Sequence, residues 1–126
     1  MTKRLETTKS IKVKGPSKSA EKWLILPDIH FPDQDDTAVE LVKKVIEIVK
    51  PDNTVFLGDV VDAGLFSMHP KRTIVESNGS DYHLNEVIPA NKLIDHVQKY
   101  TKNITHFLAG NHENRVDRYL TSEKGA

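Results

Sequence analysis

Cysteine is absent from the 126 residues, which excludes disulfides, thiolate metal sites and cysteine nucleophiles together. Aromatic residues make up only 6%. Trp23, Phe56 and Phe107 sit in or beside apolar runs, where they read as core residues and not as platforms for stacking bases. No apolar run approaches the roughly 20 residues that span a bilayer. The N-terminus lacks the apolar centre of a secretory signal, so the expected location is cytoplasmic. Repeats are absent, and no serine or cysteine nucleophile motif stands out.

What remains is an ordinary domain composition, 37% hydrophobic and 29% charged, long enough for one modest core. The zero net charge hides an asymmetry. Lys3, Arg4, Lys9, Lys12, Lys14 and Lys18 face the single acid Glu6 within residues 1–20, so the remainder carries a net −5. A basic tail of this kind can grip nucleic acid phosphates. Ser, Thr, Gly and Pro interleave these charges, however, as in a solvated, flexible leader. The expected organisation is a leader over 1–20 and a domain over 21–126.

The body alternates short apolar runs with longer amphipathic ones. Trp23–Leu26 reads as a strand buried on both faces. Residues 37–49 predict a helix with Val39, Val42, Val45, Ile46 and Val49 on one stripe. Thr37 with Glu40 reads as its capping box, and Pro51 follows its end. Thr54–Leu57 predicts a second strand. Residues 86–100 predict a helix with Val87, Ile94 and Val97 inward and Pro89 in the first turn. Residues 104–109 predict a third strand and 114–120 a last helix. Strands alternating with helices imply an α/β fold with a parallel sheet. The polar stretch 63–85 then lies over the carboxyl ends of the strands, where ligands bind.

Three motifs follow the three strands. Asp28-Ile29-His30 comes first; in an extended segment, side chains two apart face the same way and can chelate one ion. In Gly58-Asp59-Val60-Val61-Asp62, glycine permits a sharp turn and Asp59 can bridge two cations. Asp62 is placed to orient a ligand imidazole. In Gly110-Asn111-His112-Glu113, the Asn111 amide oxygen is a neutral hard ligand, and His112 can meet the substrate. Each motif alone is also a turn with a capping residue. Their joint occurrence at three successive strand ends points to a metal centre.

This pattern resembles the calcineurin-like metallophosphoesterase family, over roughly residues 22–120. The resemblance implies a dinuclear centre in which Asp28, His30 and Asp59 bind a first metal. Asp59 bridges to a second, which Asn111 also binds. His112 contacts the phosphate and assists the leaving oxygen, with Asp62 and Glu113 in support. The implied ions are Mn²⁺ first, then Fe, Zn²⁺ or Ni²⁺. The implied reaction is attack of a metal-activated hydroxide on a phosphoester, including those of nucleotides or nucleic acids.

The family pattern continues with a lone His and a Gly-His-x-His, whereas no histidine follows His112 here. The expectation is therefore a parallel βαβαβ half of a metallophosphoesterase α/β sandwich, with the second sheet missing. Its exposed sheet would be covered by a homo-oligomer or a partner chain. A catalytically silent half-domain that binds protein or nucleic acid is the competing reading. His69 and His83 lie in the long loop and are candidates to reach a metal or substrate. His96 reads as a boundary residue and His106 as structural. Arg115, Arg118 and Lys71 are candidates to hold phosphate oxygens.

Overall fold

The computed structural model describes residues 20–67 and 80–122; residues 1–19 of the expected leader, His69 and Lys71 lie outside them. Three parallel strands, β1 (Trp23–Leu26), β2 (Asn53–Phe56) and β3 (Ile104–Phe107), lie in that order in one sheet. Leu26, Phe56 and Phe107 are in register at their carboxyl ends. Helix α1 (Asp36–Val49) connects β1 to β2. Helix α2 (Ile88–Tyr100) leads into β3, and α3 (Asn114–Thr121) follows it. This is the expected βαβαβ arrangement.

The start of α1 differs from the expected capping box. Asp35 is the N-cap, its carboxylate accepting from the Ala38 N–H at 3.1 Å, while Glu40 pairs with Lys43 Nζ at 2.9 Å. Asp35 sits at the extended residue before the first turn, where a short acceptor reaches the free N–H groups best. Before α2 the chain makes a π-helical turn, His83–Val87, in which the Ile88 N–H bonds to the His83 carbonyl. Pro89 is the next residue, and a proline ring crowds the carbonyl four residues back. The widened turn relieves that crowding.

Both crossover helices cover one face of the sheet. Leu26 and Phe56 from the strands meet Ile46 of α1 and Ala90, Leu93 and Val97 of α2 in the core. The α2 stripe is therefore centred on Ala90, Leu93 and Val97, not on the expected Val87 and Ile94. Val45 and Val49, expected inward on α1, are instead exposed. Thr54, fully buried, pairs its hydroxyl with that of Thr101 at 2.8 Å. Thr101 donates in turn to the Val97 carbonyl, so both hydroxyls are satisfied.

Among the described residues nothing covers the other face. Trp23 is 50% exposed, Ile25 54% and Ile104 55%, so β1 is buried on one face only, contrary to the reading of its apolar run. Trp23 reaches across β2 and stacks on His106 with ring centroids 5.7 Å apart. Phe107 is also exposed, whereas Phe56 is wholly buried. His96 Nε2 on α2 lies 3.2 Å from a Glu47 carboxylate oxygen on α1, at the edge of the core. Among the described residues no helix is long and apolar enough to cross a membrane.

Candidate metal centre

The three motifs converge because each leaves the sheet at its carboxyl edge. The β1 and β2 tails stay zippered past the strands: His30 N–H bonds to the Asp59 carbonyl at 2.9 Å and Phe31 N–H to that of Val60 at 2.8 Å. The Asp62 N–H then closes on the Phe31 carbonyl at 2.8 Å. Strand alternation, which the sequence leads one to expect here, does not place Asp28 and His30. Both adopt left-handed backbone, φ 48° and 57°, and so does Asp59 at φ 52°. Such conformations are uncommon outside glycine and gather at functional sites.

Two glycines set the distance between the β2 and β3 tails. Gly58 has φ 94°, and a Cβ there would stand 2.7 Å from the Gly110 Cα. A Cβ on Gly110 would stand 2.6 Å from the Asp59 nitrogen. Neither approach is compatible with a side chain. The main chains of the second and third motifs therefore pack directly against each other.

Glu113 fastens this contact. Its carboxylate accepts from the N–H groups of Asp59 (2.9 Å), Val60 (2.7 Å) and Gly110 (3.1 Å). Asp59 Oδ1 accepts from the His112 N–H at 2.9 Å, so side chain and main chain are exchanged between the two motifs. Asn111 is exposed beside them.

His30, Asp59 and His112 each offer one ligand atom, and these lie within 4.8 Å of one another. The His30 and His112 rings meet edge to face at 4.6 Å. Asp28 approaches His30 Nε2 at 3.7 Å from a more exposed position. Two imidazoles and a carboxylate, without sulfur, suit a divalent first-row cation.

Asp62 supports both rings. Its carboxylate stands 3.1 Å from His112 Nδ1 and 3.5 Å from His30 Nδ1. Its main-chain carbonyl also lies 2.8 Å from His112 Nδ1. A carbonyl only accepts, so this contact places a proton on His112 Nδ1 and leaves Nε2 on the opposite side of the ring.

The arginines are engaged with backbone. Arg115 Nη1 donates to that same Asp62 carbonyl at 3.0 Å, and Arg118 Nη2 to the Asn111 carbonyl at 3.1 Å. His83 is exposed on the π turn and lies outside the His30–Asp59–His112 group.

One residue at the site escaped the sequence reading. Glu86 is buried and accepts from the Ala63 N–H at 2.6 Å. Burial raises its carboxyl above the usual range and the nearby Asp62 adds to this, while the N–H groups of Ala63 and Asp62 pull the other way. The available signal was a carboxylate in line with Ala90, Leu93 and Val97, the spacing of one helix face.

A family model described as calcineurin-like phosphoesterase matches residues 22–125. No curated protein and no solved structure matches the chain. The family match spans the parallel sheet, its crossover helices and all three motifs, and the chain belongs to the calcineurin-like phosphoesterase family.

Proposed function

We propose that this chain is a metal-dependent phosphoester hydrolase working through a dinuclear centre. The observation that carries the reading is the convergence of His30, Asp59 and His112 within 4.8 Å at the carboxyl edge of the sheet. Two members of that group, His30 and Asp59, hold one divalent cation together with Asp28, Asp59 with Asn111 holds a second, and His112, the third member, faces the substrate. Mn²⁺ is the first candidate, with Fe, Zn²⁺ or Ni²⁺ as alternatives. When bound, such cations acidify water and neutralise charge on phosphoryl oxygens.

The protein's own part is orientation and proton handling. Asp62 fixes the rings of His30 and His112 through their Nδ1 atoms. His112 thereby turns Nε2 to the substrate, where in its protonated form it donates to the departing oxygen. Glu113 and Arg115 keep the motif backbones in place, and His83 is assigned to the substrate side. Nucleotides or nucleic acids are the proposed substrates in a cytoplasmic setting, with the basic leader 1–20 adding phosphate contacts to the 21–126 domain.

The test is Mn²⁺-dependent hydrolysis of an aryl phosphodiester. Activity should be abolished by Asp59→Asn, chosen because asparagine tolerates left-handed backbone, and by His112→Ala. A pure chain with neither turnover nor tight metal binding would instead favour the competing reading, a silent half-domain that binds a partner. The exposed Trp23, Ile25 and Ile104 on the face that no described residue covers favour a partner in either case, since large exposed apolar patches mark interaction sites. A homo-oligomer or a partner chain is the proposed cover, and light scattering of the purified chain distinguishes them.

A further inference from the structure

The metal-centre motifs leave Glu86 without a role, yet it occupies an expensive position. It is 7% exposed, and a buried carboxylate is costly unless its oxygens are bonded. Its side chain leaves the π turn His83–Val87 and meets the Asp62–Ala63 turn from below. π turns of this kind recur at functional sites. Ala63 is itself fully buried and left-handed, φ 49° and ψ 34°, a conformation that an alanine keeps only when its surroundings enforce it. The Glu86 acceptor on its N–H is one such enforcing contact. The peptide unit that donates this N–H is the one whose carbonyl is Asp62 O. That oxygen receives both His112 Nδ1 and Arg115 Nη1.

We propose that Glu86 is a positioning residue for His112. By holding the Asp62–Ala63 peptide from its N–H side, it aims the Asp62 carbonyl at Nδ1 and locks the imidazole in the Nδ1–H tautomer. The connection is short: one carboxylate, one peptide plane and one imidazole. Only the use made of the free Nε2 rests on the hydrolase reading; the tautomer itself does not.

The experiment reads the tautomer directly in the full chain. Long-range ¹H–¹⁵N spectra at about pH 8, where an ordinary imidazole is neutral, distinguish Nδ1–H from Nε2–H, and the His112 signal is assigned by its loss in His112→Gln. The unsubstituted chain should show the Nδ1–H pattern. Glu86→Gln, which keeps a carbonyl acceptor for Ala63, should retain it. Glu86→Ala should convert His112 to a mixture of tautomers, and kcat in the phosphodiester assay should fall about 10–100-fold with KM little changed. If Glu86→Ala does not fold, Glu86→Asp serves instead, since it keeps the charge but falls one methylene short.

Thr54→Val is the control for a merely structural effect. It breaks the buried pair with Thr101 and should lower stability without moving the His112 signal. Persistence of the Nδ1–H pattern in Glu86→Ala, or an equal change in Thr54→Val, overturns the proposal. A tautomer change in a chain with no hydrolase activity upholds the positioning and refutes the hydrolase reading alone.

Discussion

Replacing Glu113 by alanine should remove a large part of the stability of this domain. The Glu113 carboxylate accepts three main-chain N–H groups, from Asp59, Val60 and Gly110, at 2.7–3.1 Å. A hydrogen bond to a charged group contributes about 1.5–3 kcal/mol net. The site is only part-buried, and water entering after truncation would satisfy some of these donors. Taking the low end for each donor, Glu113→Ala should cost about 3–5 kcal/mol, against about 5–15 kcal/mol for the whole stability of an ordinary domain.

Two alternative origins of such a loss are smaller. Glu113 makes no side-chain cap to α3, and a carboxylate near a helix N-terminus contributes only about 0.3–1 kcal/mol through the dipole. Glu113→Gln separates the cases further. Its amide supplies one acceptor oxygen and sets an NH₂ donor against a main-chain donor, so the loss should be about 2 kcal/mol. Urea unfolding followed by far-ultraviolet circular dichroism measures both variants. A Glu113→Ala midpoint unchanged from the parent, or equal losses for the two variants, would refute the clamp.

Further outcomes follow from other parts of the molecule. Lys50 ends α1 in left-handed backbone, φ 44°, so Lys50→Gly should raise stability by about 0.5–1 kcal/mol in the same unfolding assay, the relief of strain exceeding glycine's entropy cost. Glu86, whose carboxyl is raised by burial, binds its proton more tightly when folded. Its penalty is therefore absent below pH 4.5 and grows as pH rises from there through the folded-state value. Glu86→Gln should accordingly gain stability relative to the parent across that window, and parallel pH curves would count against it. Added Mn²⁺ should raise the unfolding midpoint, with reversal by a chelator and no response in His30→Ala. Phe56→Ala, at the wholly buried centre of the core, should cost about 3–5 kcal/mol by the same urea assay.

The element order was legible because apolar runs and amphipathic stripes alternate cleanly, and the motifs were legible because glycine, carboxylate and imidazole recur at fixed spacings after strands. The environment of β1 was not. A run such as Trp23–Leu26 looks the same whether both faces are covered or one is bare, since periodicity reports what can be buried and not what buries it. The backbone of the site was equally hidden. Asp28, His30, Asp59 and Ala63 turn left-handed under tertiary contacts, and nothing local in Ala63 calls for it. Glu86 was overlooked for a related reason: a glutamate beside a helix stripe reads as solvated until a distant N–H group is placed against it.

The contact of Gly58 with Gly110 bears on how the centre keeps its dimensions. The separation of Asp59 from the Asn111–His112 pair is fixed there by the thickness of two main chains, a length no neighbouring side chain can lengthen or shorten. The β2 and β3 tails are held together there by this backbone contact and by the three N–H groups on the Glu113 carboxylate. Any change in twist between these strands, including one imposed by a cover on the bare face, would reach both motifs at once. The gap between them would not change.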